Sequence, residues 1–568
     1  MRKLFTKRKR KKNEVSFDEI LLDSSNLPSF NVGRMEGKIE LPLARRNLYA
    51  IAFIFMCIAG GFLYKLFVLQ VVEGSEYAEL SERNRIEQSL IVAERGPVYD
   101  TQGELLIWNE RDTSGTYDFP VRAYTDRRGL GSLLGYVSYP QKDSAGFYFR
   151  EEYLGRSGVE EEFHTLLAGK NGERLTEINA LGEIISEVEV REPEAGKSLT
   201  LSVDAELSEV IHDLIATTTE QNGFRSGAAA MMNIHTGEVI AMSNFPSYDP
   251  EVLADGDDVA LIQSYNNDER FPFLNKVVGG LYVPGSIVKP FVAYGALEEH
   301  TIDPMKIVVS NGSLTIPNPY DPAHPAVFND WRAHGPMTMR DAIAYSSNVY
   351  FFIVGGGFED QAGLGITNID TYMKLFGVGE KTGINLLGEQ AGVVPSPEWK
   401  QKVFDDDWRL GDTYLTAIGQ FGFQVTPLQM LRAYAAIANG GTLVTPHVIK
   451  SAQGDRENLH LNQDSLTIVR EGMRRTVIQD GGTARALERG DVAIAGKSGT
   501  AELGASKSRV NSWIAGYFPY DNPTHAFILM MENGPRSNTV GASSVMGKVF
   551  DWIGEHRPEL FTPTSSAQ

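Results

Sequence analysis

The sequence predicts an α+β fold in which a single N-terminal transmembrane helix precedes a β-rich domain and then an antiparallel sheet packed with helices. Three observations support this prediction. A 17-residue uncharged, almost wholly apolar run spans 48–64, and short alternating segments dominate 73–203. Beyond these segments come a strand pair, a long helical insertion and three more strands, an order typical of helices packed on one antiparallel sheet.

The first 47 residues are expected to form a basic cytoplasmic tail. Eight of the first 12 residues are Lys or Arg, and residues 1–47 carry a net charge of +6. A nucleic-acid-binding arm is the competing interpretation of such a basic run. The apolar run that follows favours the membrane instead, because basic residues beside a span mark its cytoplasmic side.

Residues 48–72 are predicted to be an uncleaved membrane anchor. The apolar run continues beyond Lys65, whose side chain can reach the interface, and is long enough to span a bilayer. It begins too far from the N-terminus for a typical signal peptide. The rest of the chain is then expected outside the cytoplasm, in the periplasm or on the cell-wall side. The one cysteine, Cys57, lies in the span, so no disulfide is expected in the exported part.

The part beyond the anchor is strongly acidic and is expected to contain two domains. The whole chain carries a charge of −20, so the part after residue 47 carries −26. Such a charge argues against nucleic acid and anionic lipid surfaces as partners. We expect a non-catalytic β-rich pedestal at 73–204, a larger domain at 205–556 and a flexible tail at 557–568.

The larger domain is predicted to open with a helix at 204–219, capped by Asp204. The strands and helices expected beyond it follow the hydrophobic periodicity and the turn residues. Strands are predicted at 227–233, 238–243, 492–502, 510–518 and 524–532, and helices at 286–299, 339–354, 367–376, 427–440 and 540–556.

The segment Ser286-Ile287-Val288-Lys289 offers a nucleophile and a base. A serine hydroxyl attacks poorly until a neighbouring base removes its proton. Residues three apart share a helix face, so the Lys289 amine is expected to point toward the Ser286 hydroxyl. Burial and a second cation, Lys497, would lower the lysine pKa and leave a neutral amine as general base near neutral pH.

Ser346-Ser347-Asn348 is the second candidate motif. In an extended or loop backbone, Ser346 and Asn348 point the same way, into the same cleft. Ser346 is then a proton relay, and Asn348 holds Lys289 or a substrate amide.

Lys497-Ser498-Gly499-Thr500 is predicted to be part of a strand, with Gly499 where another backbone approaches closely. Lys497, Ser498 and Thr500 offer a carboxylate site. The N–H groups of Thr500 and Ser286 could form an oxyanion hole. Each motif alone has an ordinary explanation as a helix face, a cap or a turn, but their order and spacing favour a serine acyl-transfer site.

The three motifs resemble those of class B penicillin-binding proteins. The resemblance runs from about residue 60 to about residue 550 and includes further segments. The post-membrane and pedestal segments are 95–100 with Gly103 and Asn109, 155–160 and 169–172; those opening the next domain are 236–242 and 246–250. The segments that are similar to the elongation subtype are 397–400, Trp408, 411–413, 418–420 and 426–429.

The resemblance implies a penicillin-binding serine transpeptidase domain that cross-links peptidoglycan. Ser286 would attack the penultimate D-alanine carbonyl of a stem peptide ending in D-Ala-D-Ala, and an amine of a second stem would take the acyl group. β-Lactams would acylate Ser286, and no cofactor is required. The implied partner is a SEDS-type glycosyltransferase of the elongation machinery. A septal transpeptidase, a β-lactamase or β-lactam sensor, and a non-catalytic scaffold that activates a glycan polymerase remain as alternatives.

Three features depart from the family pattern. Only 45 residues separate Asn109 from Gly155, so the pedestal head is short, and Ser498 replaces the commoner threonine. Some relatives bind zinc near the second motif through aspartates, a histidine and a cysteine. Asp321, Asp330 and His334 are available here, but Ser347 stands in place of the cysteine. We expect no metal.

Overall fold

The computed structural model describes residues 45–77, 86–113, 115–144, 148–178, 184–318 and 321–562. Most of the predicted basic tail, and residues 563–568 of the predicted C-terminal tail, lie outside these ranges. The N-terminal part forms the helix Arg45–Phe67, which continues as a wider turn over Val68–Val72. Among the described residues, one helix is long and apolar enough to cross a membrane, and it is this one. It includes Cys57.

The pedestal is built from short strands, as predicted. One sheet has three strands in the order Ile86–Ile91, Gly172–Ile178 and Ile184–Arg191; another has four in the order Leu199–Thr200, Val98–Tyr99, Leu105–Glu110 and Val121–Tyr124. Two small pairs join Val137–Ser138 to Leu154–Gly155 and Gln141–Lys142 to Tyr148–Arg150. Three short helices span Gly131–Leu134, Gly158–Glu162 and His164–Leu167.

A fully buried ionic cluster joins the pedestal segments that carry the family resemblance. Both Glu160 oxygens are bonded: Arg95 Nε lies 2.5 Å from Oε2, and Arg122 Nε lies 2.7 Å from Oε1. Arg122 also donates to the Asn109 side chain at 3.0 Å and to the Gly96 carbonyl at 2.7 Å. The two guanidinium charges lower the pKa of Glu160 despite its complete burial.

The next domain is organised on a five-stranded antiparallel sheet. Its strand order is Val239–Phe245, Ser226–Asn233, His525–Pro535, Arg509–Phe518 and Ala495–Leu503. The helices Ala205–Asn222 and Ala542–His556 pack on one face, and Pro427–Ala438 packs on the other. Side chains alternate between these two cores, as a strand period of two requires. The predicted five strands are confirmed, and so is the cap: the Asp204 side chain accepts from Leu207 N.

The remaining elements form the helical insertion and its small sheets. The helices are Pro250–Asp255, Val259–Asn267, Lys289–Glu298, Met339–Tyr345, Asn348–Gly356, Gly365–Leu375, Pro397–Phe404, Leu410–Ala417 and Gln463–Ile478, with 3-10 turns at Gly285–Val288, Arg485–Leu487 and Pro558–Phe561. The short strands are Val308–Ser310, Ser313–Ile316, Ala326–Asn329, Gly335–Met337, Thr442–Val444 and Arg456–Asn458.

Two stretches differ from the predicted helices or loops. The helical stretch predicted at 339–354 is interrupted: the chain breaks at Ser346, which has a positive φ of 58°, and Ser347 caps a second helix. Residues 558–561 of the expected tail form a 3-10 turn, and its Phe561 packs on Phe518 and Phe550 in the core of the second face.

Candidate active site

The first motif lies where a tight turn enters a buried helix. Gly285 adopts a positive φ of 57°, and its N–H donates to the Gly419 carbonyl at 2.9 Å. A Cβ at Gly285 would lie 2.9 Å from the Thr500 carbonyl oxygen, so the turn sits directly against the strand of the third motif. Ser286 is 9% exposed and Lys289 is fully buried. Ser286 thus keeps slight solvent access, whereas Lys289 has none.

Two aromatic side chains hold this turn by its carbonyls. The Tyr434 hydroxyl donates to the Ile287 carbonyl at 2.7 Å, and Trp513 Nε1 donates to the Val283 carbonyl at 3.0 Å. Both aromatic side chains are fully buried. The backbone on either side of Ser286 is therefore tied to the rigid core.

The Lys289 amine points into the second motif. Its Nζ lies 2.8 Å from the Ser346 carbonyl oxygen, 2.8 Å from Asn348 Oδ1 and 3.5 Å from Ser346 Oγ. The predicted pairing of Lys289 with the second motif is therefore present. Among the described contacts, however, no hydrogen bond joins the amine to Ser286, which was the expected first contact.

The second motif brings Ser346 and Asn348 together at a turn between two helices. Ser346 ends one helix in the left-handed conformation, and Asn348 begins the next. The Ser347 hydroxyl accepts from Tyr350 N at 3.3 Å and donates to the Asp330 carboxylate at 2.7 Å. Of the extended or loop backbone predicted for this motif, the structure has the loop: a turn between two helices, rather than strand alternation, aims both side chains at the lysine.

The third motif completes the cluster. Lys497 Nζ donates to Ser346 Oγ and to the Ser498 carbonyl, each at 2.8 Å. The predicted close approach at Gly499 is confirmed, since a Cβ there would lie 3.0 Å from the Pro284 carbonyl oxygen. The Ser498 hydroxyl donates to Thr483 Oγ1 at 2.6 Å, and the Thr500 side chain is exposed.

Burial governs the protonation of both lysines. Desolvation lowers the pKa of Lys289 to about 7, with the Asp330 charge acting in the opposite direction. Burial also holds the pKa of Lys497 well below its usual range, and the Lys289 charge lowers it further. The expected repulsion between the two cations therefore acts on Lys497. Burial therefore favours the neutral form of each amine.

Sequence reasoning assigned no place in the acyl-transfer site to two residues that contact the motifs. Asp330 accepts hydrogen bonds from Ser347 and from the backbone N–H groups of Asn348 and Val349. Thr483 accepts from Ser498. It follows the pair Gly481-Gly482, which signals a turn but not a partner for the third motif.

The residues considered for zinc do not converge. Asp321 pairs with His324 Nδ1 at 2.8 Å, whereas His334 Nε2 lies 3.5 Å from Asp330 Oδ1. Among the described residues, no group of three or more His, Cys, Asp or Glu side chains is placed to hold a metal ion.

Comparisons with known proteins agree with this geometry. Residues 227–553 match the penicillin binding protein transpeptidase domain, and residues 115–201 match the penicillin-binding protein dimerisation domain. The peptidoglycan D,D-transpeptidase MrdA of Haemophilus influenzae is 28% identical over 630 residues, covering 91% of this chain and 94% of the relative.

Two solved structures share the fold along most of the chain. Penicillin-binding protein PBP2 of Helicobacter pylori, in complex with MreC, is 25% identical with a TM-score of 0.69, covering 83% of this chain and 99% of that one. A chain from a peptidoglycan synthase complex that coordinates polymerisation and crosslinking is 25% identical with a TM-score of 0.70, covering 92% of this chain and 100% of that one. With its dimerisation and transpeptidase domains in this order, the chain belongs to the class B penicillin-binding proteins.

Proposed function

We infer that this chain is a penicillin-sensitive peptidoglycan D,D-transpeptidase that cross-links stem peptides during cell-wall elongation. The observation that carries the chemistry is the contact of Lys289 and Lys497 with Ser346, one helical turn from the nearly buried Ser286. The near-full-length likeness to MrdA supports the elongation role over the septal one.

The hydrogen bonds of Lys289 suit it to act as the base. A neutral amine has two N–H donors and one lone pair. The Ser346 carbonyl and Asn348 Oδ1 accept both donors at 2.8 Å, which leaves the lone pair to take the Ser286 proton. Ser286 Oγ then attacks the penultimate D-alanine carbonyl, and the N–H groups of Ser286 and Thr500 stabilise the oxyanion.

Ser346 is placed to pass the proton onward. Its Oγ lies between the two amines, 3.5 Å from Lys289 and 2.8 Å from Lys497. The proton from Ser286 reaches the departing D-alanine amine through it, and the C–N bond breaks as the acyl-enzyme forms. The amine of a second stem then attacks the ester, and Ser286 regains a proton. Lys497, Ser498 and Thr500 bind the terminal carboxylate, with Gly499 allowing the close backbone approach, and Asn348 binds a substrate amide.

The test is covalent labelling of the detergent-solubilised chain with a fluorescent penicillin. Wild type should carry a label that survives a denaturing gel, and Ser286→Ala should carry none. Ser264→Ala, which removes an exposed helix serine bonded only to the Leu261 carbonyl among the described contacts, is the matched control and should label normally. Labelling of Ser286→Ala would contradict the assignment, and rapid loss of the label from wild type would favour a β-lactamase.

The helix Arg45–Phe67 supports a membrane anchor, and we propose that its N-terminal side is cytoplasmic. The net charge of +6 over residues 1–47 favours that orientation. The domains beyond residue 72 then face the periplasm or cell wall. Protease added to intact spheroplasts should digest the C-terminal domain and spare an N-terminal tag; digestion of the tag would reverse the topology.

We further propose that the chain pairs with a SEDS-type glycosyltransferase through its membrane helix and pedestal. The likeness to a chain from a synthase complex that coordinates polymerisation and crosslinking supports this partner. Co-purification of the polymerase with the full chain, and its loss when residues 45–72 are exchanged for an unrelated membrane helix, would support the pairing. Unchanged co-purification would show that the membrane helix is not needed for the pairing.

A further inference from the structure

Asp330 is the most heavily hydrogen-bonded side chain next to the active site. Its carboxylate has no solvent exposure. Five donors reach its two oxygens: at Oδ1 the N–H groups of Trp331 and Asn348, both at 2.9 Å, and at Oδ2 Ser347 Oγ at 2.7 Å, Val349 N at 3.0 Å and Ser310 Oγ at 3.1 Å. A carboxylate offers about four lone-pair positions. These donors therefore occupy the carboxylate completely.

The same five donors exclude a metal at this carboxylate. A cation would need lone pairs that already accept hydrogen bonds, and Ser347 contributes a donating hydroxyl where a metal requires a thiolate or another lone pair. His334 Nε2 is the one buried atom beside Asp330 without a hydrogen-bond partner among the described contacts. One imidazole nitrogen is far short of the four ligands of a structural zinc site.

Asp330 is linked to the Lys289 amine through one intervening residue, Asn348. It accepts from the backbone N–H of Asn348, and the side chain of that same residue accepts from Lys289 Nζ. It also accepts from Ser347, which follows the left-handed Ser346 whose carbonyl is the other acceptor for Lys289. Both acceptors of the lysine thus belong to a segment that Asp330 holds from behind.

Burial does not neutralise this carboxylate. Desolvation opposes its ionisation, but the hydrogen bonds from Asn348 N, Ser347 and Val349 N, together with the Lys289 charge, lower the pKa of Asp330 below its ordinary value. An ionised carboxylate at the N-terminus of the helix Asn348–Gly356 is also favoured by the helix dipole. The cap is therefore charged and strong at neutral pH.

We propose that Asp330 is a metal-independent positioning residue, which fixes the second motif by capping the helix Asn348–Gly356 and thereby places the two acceptors of Lys289. Two serine hydroxyls and three backbone N–H groups hold this carboxylate in place without a metal ion. The positioning role rests on the proposed acyl-transfer function, whereas the metal independence does not.

The first experiment removes metal from the full chain in detergent. Wild type dialysed against EDTA and 1,10-phenanthroline should contain less than about 0.1 equivalent of zinc by mass spectrometry. Its thermal midpoint and its rate of acylation by a fluorescent penicillin should be unchanged, and added ZnCl2 should alter neither. A fall in thermal midpoint that about one equivalent of zinc restores would overturn the proposal, even in a protein that no penicillin labels.

The second experiment separates positioning from general stability. Asp330→Asn should lower the acylation rate constant about 10- to 100-fold and change the dissociation constant of the initial penicillin complex by less than about threefold. Asp204→Asn is the matched control, because Asp204 is also a buried helix-capping carboxylate but lies outside the site. It should lower the thermal midpoint and leave acylation of the folded protein unchanged.

A third variant keeps the test decisive if Asp330→Asn does not fold. Ser347→Ala removes one donor to Asp330 and should lower the acylation rate constant about three- to tenfold. Wild-type acylation by Asp330→Asn, or by Ser347→Ala when the first variant is unfolded, would overturn the positioning role. Unlabelled wild type would instead point to failure of the proposed acyl-transfer function.

Discussion

The buried charges of the pedestal and those of the active site, both among the described residues, are arranged in opposite ways. In the pedestal, Arg95 and Arg122 share one carboxylate, Glu160, and further backbone and amide acceptors take their remaining donors. In the active site, Lys289 and Lys497 meet around a neutral hydroxyl, with no carboxylate bonded to either amine among the described contacts. A paired charge stays ionised and inert, whereas an unpaired one loses its proton.

The difference shows in the pKa values. The arginines lower the pKa of Glu160 in spite of burial, so the carboxylate remains charged at every physiological pH. Burial lowers the pKa of Lys289 to about 7 because no bonded anion compensates it. Desolvation acts on both clusters. In the pedestal, ion pairing offsets it and Glu160 stays charged; in the active site, it lowers the lysine pKa and so favours a reactive neutral amine.

The strongest way to break this comparison is to remove the reactive amine. Lys289→Met should lower the acylation rate by at least about 1,000-fold, because it removes the base proposed to take the Ser286 proton. Lys276→Met is the matched control: Lys276 is also a buried lysine, bonded to the Phe271 carbonyl at 2.8 Å, but it lies outside the site. Stopped-flow acylation should separate the two variants, and similar losses in both would mean that buried lysines matter only for folding.

The pedestal cluster should respond in stability and not in chemistry. Glu160→Gln leaves two buried guanidinium groups without their anion and should lower the free energy of unfolding by about 3–5 kcal/mol. Acylation of the folded fraction should stay at the wild-type rate. Denaturant unfolding tests this, with Glu194→Gln, which breaks the exposed pair with Lys170, as a control that should unfold like wild type. Equal midpoints for the two variants would show that the cluster is not needed.

Acid should slow acylation by protonating Lys289. The neutral form of Lys289 is the active one, so the acylation rate should rise with pH and level off above about 7. Below that value it should fall about tenfold per pH unit as the amine gains a proton. Rates measured from pH 5.5 to 8.5 test the sign. A profile that is flat, or that falls with rising pH, would rule out a neutral lysine base.

The contact between Ser498 and Thr483, at the edge of the lysine cluster, should contribute least to the acylation rate. Thr483→Val removes the partner of the Ser498 hydroxyl and should slow acylation about threefold, because a partly exposed hydroxyl can bond to water instead. Thr371→Val, which replaces an exposed helix threonine, is the control and should have no effect. A loss above about 30-fold would place Thr483 among the residues that hold Lys497.

Much of the site followed from local sequence because its chemistry is local. The turn before Ser286, the strand that carries Lys497 and the cap at Asp204 each have signals within a few residues. The break at Ser346 does not. It depends on Asp330, which bonds to Ser347 17 residues later in the chain and can accept the donors of a second helix only after the chain has folded back.

The orientation of Lys289 was predicted only in part. Helix spacing pointed its amine toward Ser286, whereas the second motif offered Asn348 as a partner for the lysine. Its strongest acceptors are a backbone carbonyl at Ser346 and an amide at Asn348, which reach it from another helix. Contacts of this kind arise from tertiary packing and have no sequence period.

The strand order of the central sheet governs when this enzyme can first act. The strand Ser226–Asn233 pairs directly with His525–Pro535, and the strand of Lys497 joins only through Arg509–Phe518. The sheet therefore cannot close around the strand of Lys497 until the chain is complete to about residue 535, long after Ser286 has been synthesised. Assembly of the three motifs is thus a late step of folding that depends on a strand near the C-terminus.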